Sequence, residues 1–263
     1  MNAKQIETYK PLLDEFCQET KKFKNKIEMP GLFLPHGLEN YETAKNKFFY
    51  VGRDTAGWIP FNELIDCFEN NKIIDYINKN DWPNSLDEVF KQANNNPSSF
   101  WNIACRLQLK LNGVKEDLAI NTNLSDEYKQ ILLEMGYGNL NSIETPQSIK
   151  NRKEWDSIDK NIYKEIKNKS LKFDNLKFIL DIYNPSHIFI FNLKGDEELA
   201  FKNLEYECIQ DKEFQNLIAI YTITGYKTKI IWTVHPGSFR YIKKNALEKI
   251  SVSEWIDEII NRT

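Results

Sequence analysis

The sequence predicts an α/β fold with a largely parallel sheet. Three short apolar runs, at residues 47–51, 188–191 and 229–234, have the length and composition of strands covered on both faces. Helical periodicities lie between and around these runs, and strands that alternate with helices favour parallel pairing. The 16 Phe, 12 Tyr and 6 Trp supply large side chains for a substantial core.

The remaining segments are assigned in chain order. Residues 3–24 have apolar groups on one helical face, and residues 29–37 form a loop with two Pro and two Gly that we expect to line a cleft. Residues 217–223 predict a further strand beside the 229–234 run, joined to it by a turn at Gly225. The pattern at 130–143 fits either a helix or a strand. The other predicted helices span residues 64–77, 100–111, 176–183, 197–204, 239–250 and 253–260.

Composition limits the class of protein. At 263 residues we expect one domain, 1–263, with the polar stretch 112–169 as a helical insertion within it. The net charge of −3 gives no general attraction to phosphate, so any contact with nucleic acid requires a local basic patch. Four widely spaced cysteines and the lack of a 20-residue apolar run predict a soluble cytoplasmic protein without a membrane span.

The residues that could take part in catalysis or binding follow the ends of the predicted strands. Loops at the carboxyl ends of parallel strands converge, and ligands bind there. Asp54 follows the first strand in Gly52-Arg-Asp-Thr-Ala-Gly57, and His235 follows the last in His235-Pro-Gly-Ser238. Each alone has a simpler explanation, because Asp54 could cap a helix and His235 could be an ordinary loop histidine.

The two motifs together resemble the uracil-DNA glycosylase superfamily. An early strand that ends in Gly-x-Asp-x-x-Gly and a late strand that ends in His-Pro-x-Ser stand in the order and at the distance found in that family. The intervening segment at 184–195 is similar to its central strand. This resemblance implies a three-layer fold, in which helices flank a central four-stranded, mainly parallel sheet, and a pocket for a base rotated out of the nucleic-acid stack.

The resemblance also implies roles for the two strand-end residues. Asp54 would stabilise the positive charge that develops on the sugar and orient the attacking water. His235 would donate a hydrogen bond to the base oxygen on which negative charge accumulates. The implied activity is hydrolysis of the N-glycosidic bond of uracil or a related damaged base in DNA.

The base and phosphate contacts are assigned by the same resemblance. An Asn amide reads the base edge in that family, for which Asn139 is the first choice and Asn102 the alternative, unless Asn102 is a helix cap. Trp58 and Phe61 are candidates to stack on the base, although core positions explain both equally well. Ala56 stands where a bulky Tyr screens out thymine, which leaves the base preference open. The candidate phosphate and DNA contacts are Gly52, Arg53, Gly57, Lys194, Ser238 and Arg240.

Two other functions compete with this one. The chain could be a nucleic-acid or nucleotide binding protein on the same fold without catalytic activity, or an unrelated nucleotide enzyme whose phosphate site is the Gly52–Gly57 loop. The last is disfavoured because the loop lacks Gly-x-Gly-x-x-Gly spacing. Neither the cysteines nor His36 and His187 have the spacing of metal ligands, so we expect no metal and no cofactor. We also expect a monomer.

Overall fold

The computed structural model describes residues 3–29, 31–52, 59–79, 85–94, 99–143, 158–192, 200–210, 217–236 and 251–263. Its strands are β1 His36–Gly37, β2 Phe48–Gly52, β3 Met135–Asn139, β4 His187–Phe191, β5 Tyr206–Gln210, β6 Ile218–Ile223 and β7 Lys229–Thr233. Its α-helices are α1 Ala3–Thr20, α2 Phe61–Glu69, α3 Ile73–Lys79, α4 Leu86–Asn94, α5 Phe100–Leu111, α6 Asp126–Leu133, α7 Lys160–Ser170, α8 Asn175–Phe178 and α9 Val252–Ile260. A π-helical turn, Ile179–Tyr183, extends α8.

The chain divides into two compact units. The first comprises Met1–Pro35, Arg53–Trp82 and Gly138–Ile182, and the second comprises His36–Gly52, Pro83–Tyr137 and Tyr183–Thr263. The expectation of one domain over residues 1–263 stays a prediction. None of the described helices combines the length and the apolar character that a bilayer crossing requires.

The sheet confirms the α/β class but is larger and more mixed than the predicted one. Seven strands are described, in the order β1-β3-β2-β4-β7-β6-β5, instead of four. Strands β2, β4 and β7 are parallel neighbours, whereas β6 and β5 add to β7 as antiparallel strands. The chain reverses between β6 and β7 at Gly225, whose φ of +86° suits glycine. A tight turn imposes antiparallel pairing, so it enlarges the sheet with strands of the opposite direction.

The three central strands are buried on both faces, as their continuous apolar runs predict. The ring of Tyr50 on β2 stacks on Phe189 of β4 with 5.3 Å between centroids. Its hydroxyl donates a 2.9 Å hydrogen bond to Gln108 Oε1 on α5, which satisfies both buried polar groups. These strands therefore form the centre of the sheet, and their ends are held by a packed core.

The ambiguous segment 130–143 contains both structures. Helix α6 ends at Leu133, and β3 follows almost at once. Gly136 on β3 lies against the rings of Phe49 and Tyr41, at a distance that a Cβ atom could not occupy. Close approach of a ring therefore explains this glycine in a buried strand. Since β3 belongs to the sheet, the polar stretch 112–169 includes a structural strand as well as helical segments.

The first unit is mainly helical. Phe16 of α1 makes edge-on contacts with Phe61 at the start of α2 and with Phe173 before α8, at 6.4 and 5.8 Å between centroids. The predicted helix at 64–77 is interrupted between α2 and α3. The predicted loop at 29–37 is confirmed over its described part, apart from β1 at its end, and residues 31–35 are buried. Its predicted contact with a cleft stays a prediction.

Candidate functional site

Three parallel strands of the sheet are in register near their carboxyl ends. Val51 of β2, Ile190 of β4 and Trp232 of β7 are in register and form one row across the sheet. Asp54 lies three positions beyond Val51, and His235 lies three positions beyond Trp232. Because the strands are parallel, β2 and β7 end at the same edge of the sheet.

His235 is described up to the following Pro236 and remains exposed at the end of β7. Enough atoms surround its imidazole for desolvation to lower its pKa below the ordinary value. A lowered pKa keeps the ring neutral near pH 7. A neutral imidazole has one N–H, so it is able to donate a hydrogen bond to an oxygen without carrying charge.

Asn192 stands between these two strand ends. It follows β4 directly, is only 2% exposed, and its main-chain N–H donates to Thr233 O at 2.9 Å. Thr233 Oγ1 in turn donates to Leu217 O at 2.9 Å. Sequence reasoning selected Lys194 from this segment and passed over Asn192. The available signal was a polar residue directly after the apolar run 188–191.

Asn139 is the last residue of β3 and is 5% exposed. Its main-chain carbonyl accepts a 2.9 Å hydrogen bond from Nδ2 of Asn175, and the same amide nitrogen lies 3.4 Å from Phe33 O. Asn175 is itself buried at the first turn of α8. A buried amide therefore fixes the backbone at the strand end that carries the first-choice base-reading residue.

Asn102 is not the cap of α5. Ser99 is the cap, because its Oγ accepts the main-chain N–H of Asn102. The amide of Asn102 donates from Nδ2 to Ala93 O at 3.2 Å, which ties α5 to the end of α4. Its Oδ1 is buried without a hydrogen-bond partner among the described residues. The Nδ2 group of Asn102 thus has a structural role. The role of Asn102 in base reading stays a prediction.

Phe61 is fully buried and packs edge-on against Phe16. The core explanation is therefore the one that its surroundings support. Gly52 ends β2, at the position predicted for it. The remaining predicted site residues lie outside the described part of the chain: Arg53, Asp54, Ala56, Gly57, Trp58, Lys194, Ser238 and Arg240.

The described residues contain no group of three His, Cys, Asp or Glu side chains that could hold a metal ion. All four cysteines are described, and none forms a disulfide bond. Burial raises the pKa of the Cys17 and Cys105 thiols far above neutral, so neither is a thiolate at pH 7. Thiolate chemistry at these two positions is therefore disfavoured.

The chain was compared with protein families and with curated proteins. No protein-family model matches the chain. A search of curated proteins likewise finds no significant match.

Proposed function

We propose that the chain is a DNA base-excision glycosylase that hydrolyses the N-glycosidic bond of uracil or a related damaged base. The observation that carries the proposal is the shared register of β2, β4 and β7, with Val51, Ile190 and Trp232 in one row. Two strand spacings separate β2 from β7, about 10 Å. The motifs after these two strands thus begin close together at one edge of the sheet.

Chain geometry limits how far the two groups lie from that edge. Asp54 is two residues beyond Gly52, and His235 is two residues beyond Thr233. Two extended residues span at most about 7 Å. On this proposal, the Asp54 carboxylate and the His235 imidazole act on the same nucleotide.

The proposed reaction breaks the bond between the sugar C1′ and the base nitrogen. The electron pair of that bond leaves with the base, while the sugar gains positive charge. Asp54 stabilises this charge, orients the water whose oxygen bonds to C1′, and accepts its proton. His235 donates a hydrogen bond to the base oxygen that becomes negative, and its lowered pKa supports a neutral donor.

The other contacts follow from this assignment. Asn139 reads the base edge, supported by the hydrogen bond that holds its backbone. Trp58 stacks on the base, while Ser238 and Arg240 hold the adjacent phosphate. On this proposal, β3, β2, β4 and β7 are the four central strands of a three-layer uracil-DNA glycosylase-like fold. The enzyme acts as a cytoplasmic monomer without a cofactor.

The test uses an oligonucleotide with one deoxyuridine, as a single strand and as a duplex opposite guanine or adenine. With excess enzyme we expect alkali-labile abasic product, and none from matched thymine or cytosine strands. The substitutions Asp54→Asn and His235→Ala are expected to lower the single-turnover rate by about 10²- to 10⁴-fold with little loss of DNA binding. Asp126→Asn, which removes a carboxylate that is 97% exposed, is the matched control.

Two results would overturn the proposal. One is the absence of abasic product from uracil and from other deaminated bases. The other is cleavage that Asp54→Asn leaves unchanged. Salt-dependent DNA binding without any excision would favour the non-catalytic binding protein instead.

A further inference from the structure

Helix α7 and the residues after it form a strongly basic segment. Residues 160–172 contain five lysines and one glutamate, although the whole chain has a net charge of −3. A lysine-rich segment in an acidic chain is commonly neutralised by ion pairs with its neighbours. The distribution of those pairs on α7 is therefore informative.

One side of this segment is neutralised by the first helices of the chain. Lys169 pairs with Glu19 of α1 at 3.2 Å. Lys172, two residues beyond α7, pairs with Glu15 of α1 at 2.6 Å. The only glutamate of α7, Glu165, pairs with Lys22 at 2.5 Å. These ion pairs link α7 to α1 and to Lys22, so these charges of the segment have partners.

On the other side, three lysines form no ion pair with the described part of the chain. Lys160, Lys164 and Lys167 stand at positions i, i+4 and i+7, so they share one face of α7, the basic face. Lys160 and Lys164 are exposed and Lys167 is partly exposed. No acidic side chain of the described residues lies within ion-pair distance of any of the three.

The basic face adjoins the strand end that carries Asn139. Helix α7 ends at Ser170, whose carbonyl accepts a 3.3 Å hydrogen bond from Ser142 Oγ. Ser142 is buried and lies three residues after Asn139. Lys167 is one helical turn before this junction. The unpaired charge thus begins beside the segment that follows β3 and continues away from it.

We propose that the basic face of α7 binds the phosphate backbone of DNA. The choice of DNA as the partner rests on the proposed glycosylase function, whereas the anionic chemistry follows from the three unpaired lysines. The seven-residue spacing from Lys160 to Lys167 covers about 10 Å along the helix axis. Phosphates of one B-DNA strand advance about 3.4 Å per step, so the face spans about three of them. Backbone contacts of this kind position DNA without reading its sequence.

The test measures affinity for a uracil-free duplex between 50 and 200 mM salt. The triple variant Lys160→Gln, Lys164→Gln, Lys167→Gln is expected to lower the slope of log K against log salt by about 2.7, because each phosphate contact contributes about 0.9. The affinity advantage of the unmodified chain should therefore shrink about 40-fold between these salt concentrations. A single strand should give a smaller change in slope, about 2.

The control variant removes three other exposed lysines: Lys45→Gln, Lys115→Gln and Lys227→Gln. It changes net charge equally, so an equal change of slope in both variants overturns the proposal. Polyglutamate of matched charge is the second control, and equal affinity for it overturns the choice of DNA. All six positions are at least partly exposed, so both variants are expected to fold. Thermal unfolding of both variants verifies this.

The outcomes separate this proposal from the proposed function. Uracil excision with an unchanged salt slope in the triple variant rejects the basic face and leaves the glycosylase assignment intact. A lowered slope without excision supports the basic face and rejects the glycosylase. Absence of DNA binding together with absence of excision rejects both.

Discussion

The two edges of the sheet are built in opposite ways. At one edge β1 is only two residues long, and His36 on it is 2% exposed. At the other edge β5 is five residues long, and Tyr206 and Ile209 on it are 41% and 52% exposed. An open edge strand invites pairing with other chains, and short strands or charged residues reduce that risk. The β1 edge is short and buried, whereas β5 carries one charged residue, Glu207, at its second position.

This difference indicates at which edge of the sheet substitutions are tolerated. The β1 edge is tightly packed, because Gly37 and its partner Gly136 on β3 both lie against the ring of Tyr41. On β5, by contrast, the side chains of Tyr206 and Ile209 are exposed to solvent. Substitutions should therefore cost much at the first edge and little at the second.

The largest effect at either edge is expected from Gly136→Ala, since Gly136 packs beside β1. The added methyl would overlap the rings of Phe49 and Tyr41, which also pack on Tyr183 at 5.1 and 5.7 Å between centroids. Overpacking in such a core costs about 1–3 kcal/mol of unfolding free energy. Urea unfolding of Gly136→Ala, Phe49→Leu and the double variant measures this. If Phe49→Leu does not recover part of the loss, the ring overlap is not the cause.

A pH-dependent effect is expected at His36 on the buried edge. Burial lowers the pKa of His36 from 6.5 to about 3 in the folded state. Below pH 6.5 the unfolded chain binds a proton that the folded chain does not. Above pH 6.5 neither state binds this proton, so His36 has no effect on the unfolding free energy. Below pH 6.5 the unfolding free energy decreases as the pH falls towards 3. At pH 5 the loss is about 2 kcal/mol.

The variant His36→Phe removes this loss and keeps a ring beside Tyr137, whose centroid lies 6.0 Å from that of His36. The decrease in unfolding free energy from pH 7 to pH 5 should therefore be smaller in the variant than in the unmodified chain. His187→Phe is the comparison. Burial also lowers the pKa of His187, although this side chain is only partly buried. Equal pH dependence of the unmodified chain and His36→Phe would contradict the assignment.

The smallest effect is expected at the open edge, from Ile209→Lys. This side chain is half exposed, and surface substitutions typically change stability by less than about 0.5 kcal/mol. Ile209, Ile220 and Ile231 are in register from β5 to β7, so the row provides its own control. Ile231 is fully buried, and Ile231→Ala should cost about 2–5 kcal/mol. Similar losses at both positions would mean that β5 is covered in solution.

Part of the candidate site follows from the sequence. Gly52 and Asn139 end strands, and His235 follows one, because apolar runs and their polar successors mark strand ends. Two other candidate positions could not be assigned in the same way. Periodicity alone does not separate a stacking ring from a core ring at Phe61, and it does not distinguish a cap from a tertiary hydrogen bond at Asn102.

The sequence by itself determined the α/β class and the three central strands, since continuous apolar runs require burial on both faces. Only the tertiary structure decided that β4 lies between β2 and β7, because strand order depends on contacts between residues far apart in the chain. It also decided that residues 135–139 form a strand. Two glycines weaken the local preference there, and packing of Gly136 against Phe49 and Tyr41 overrides it.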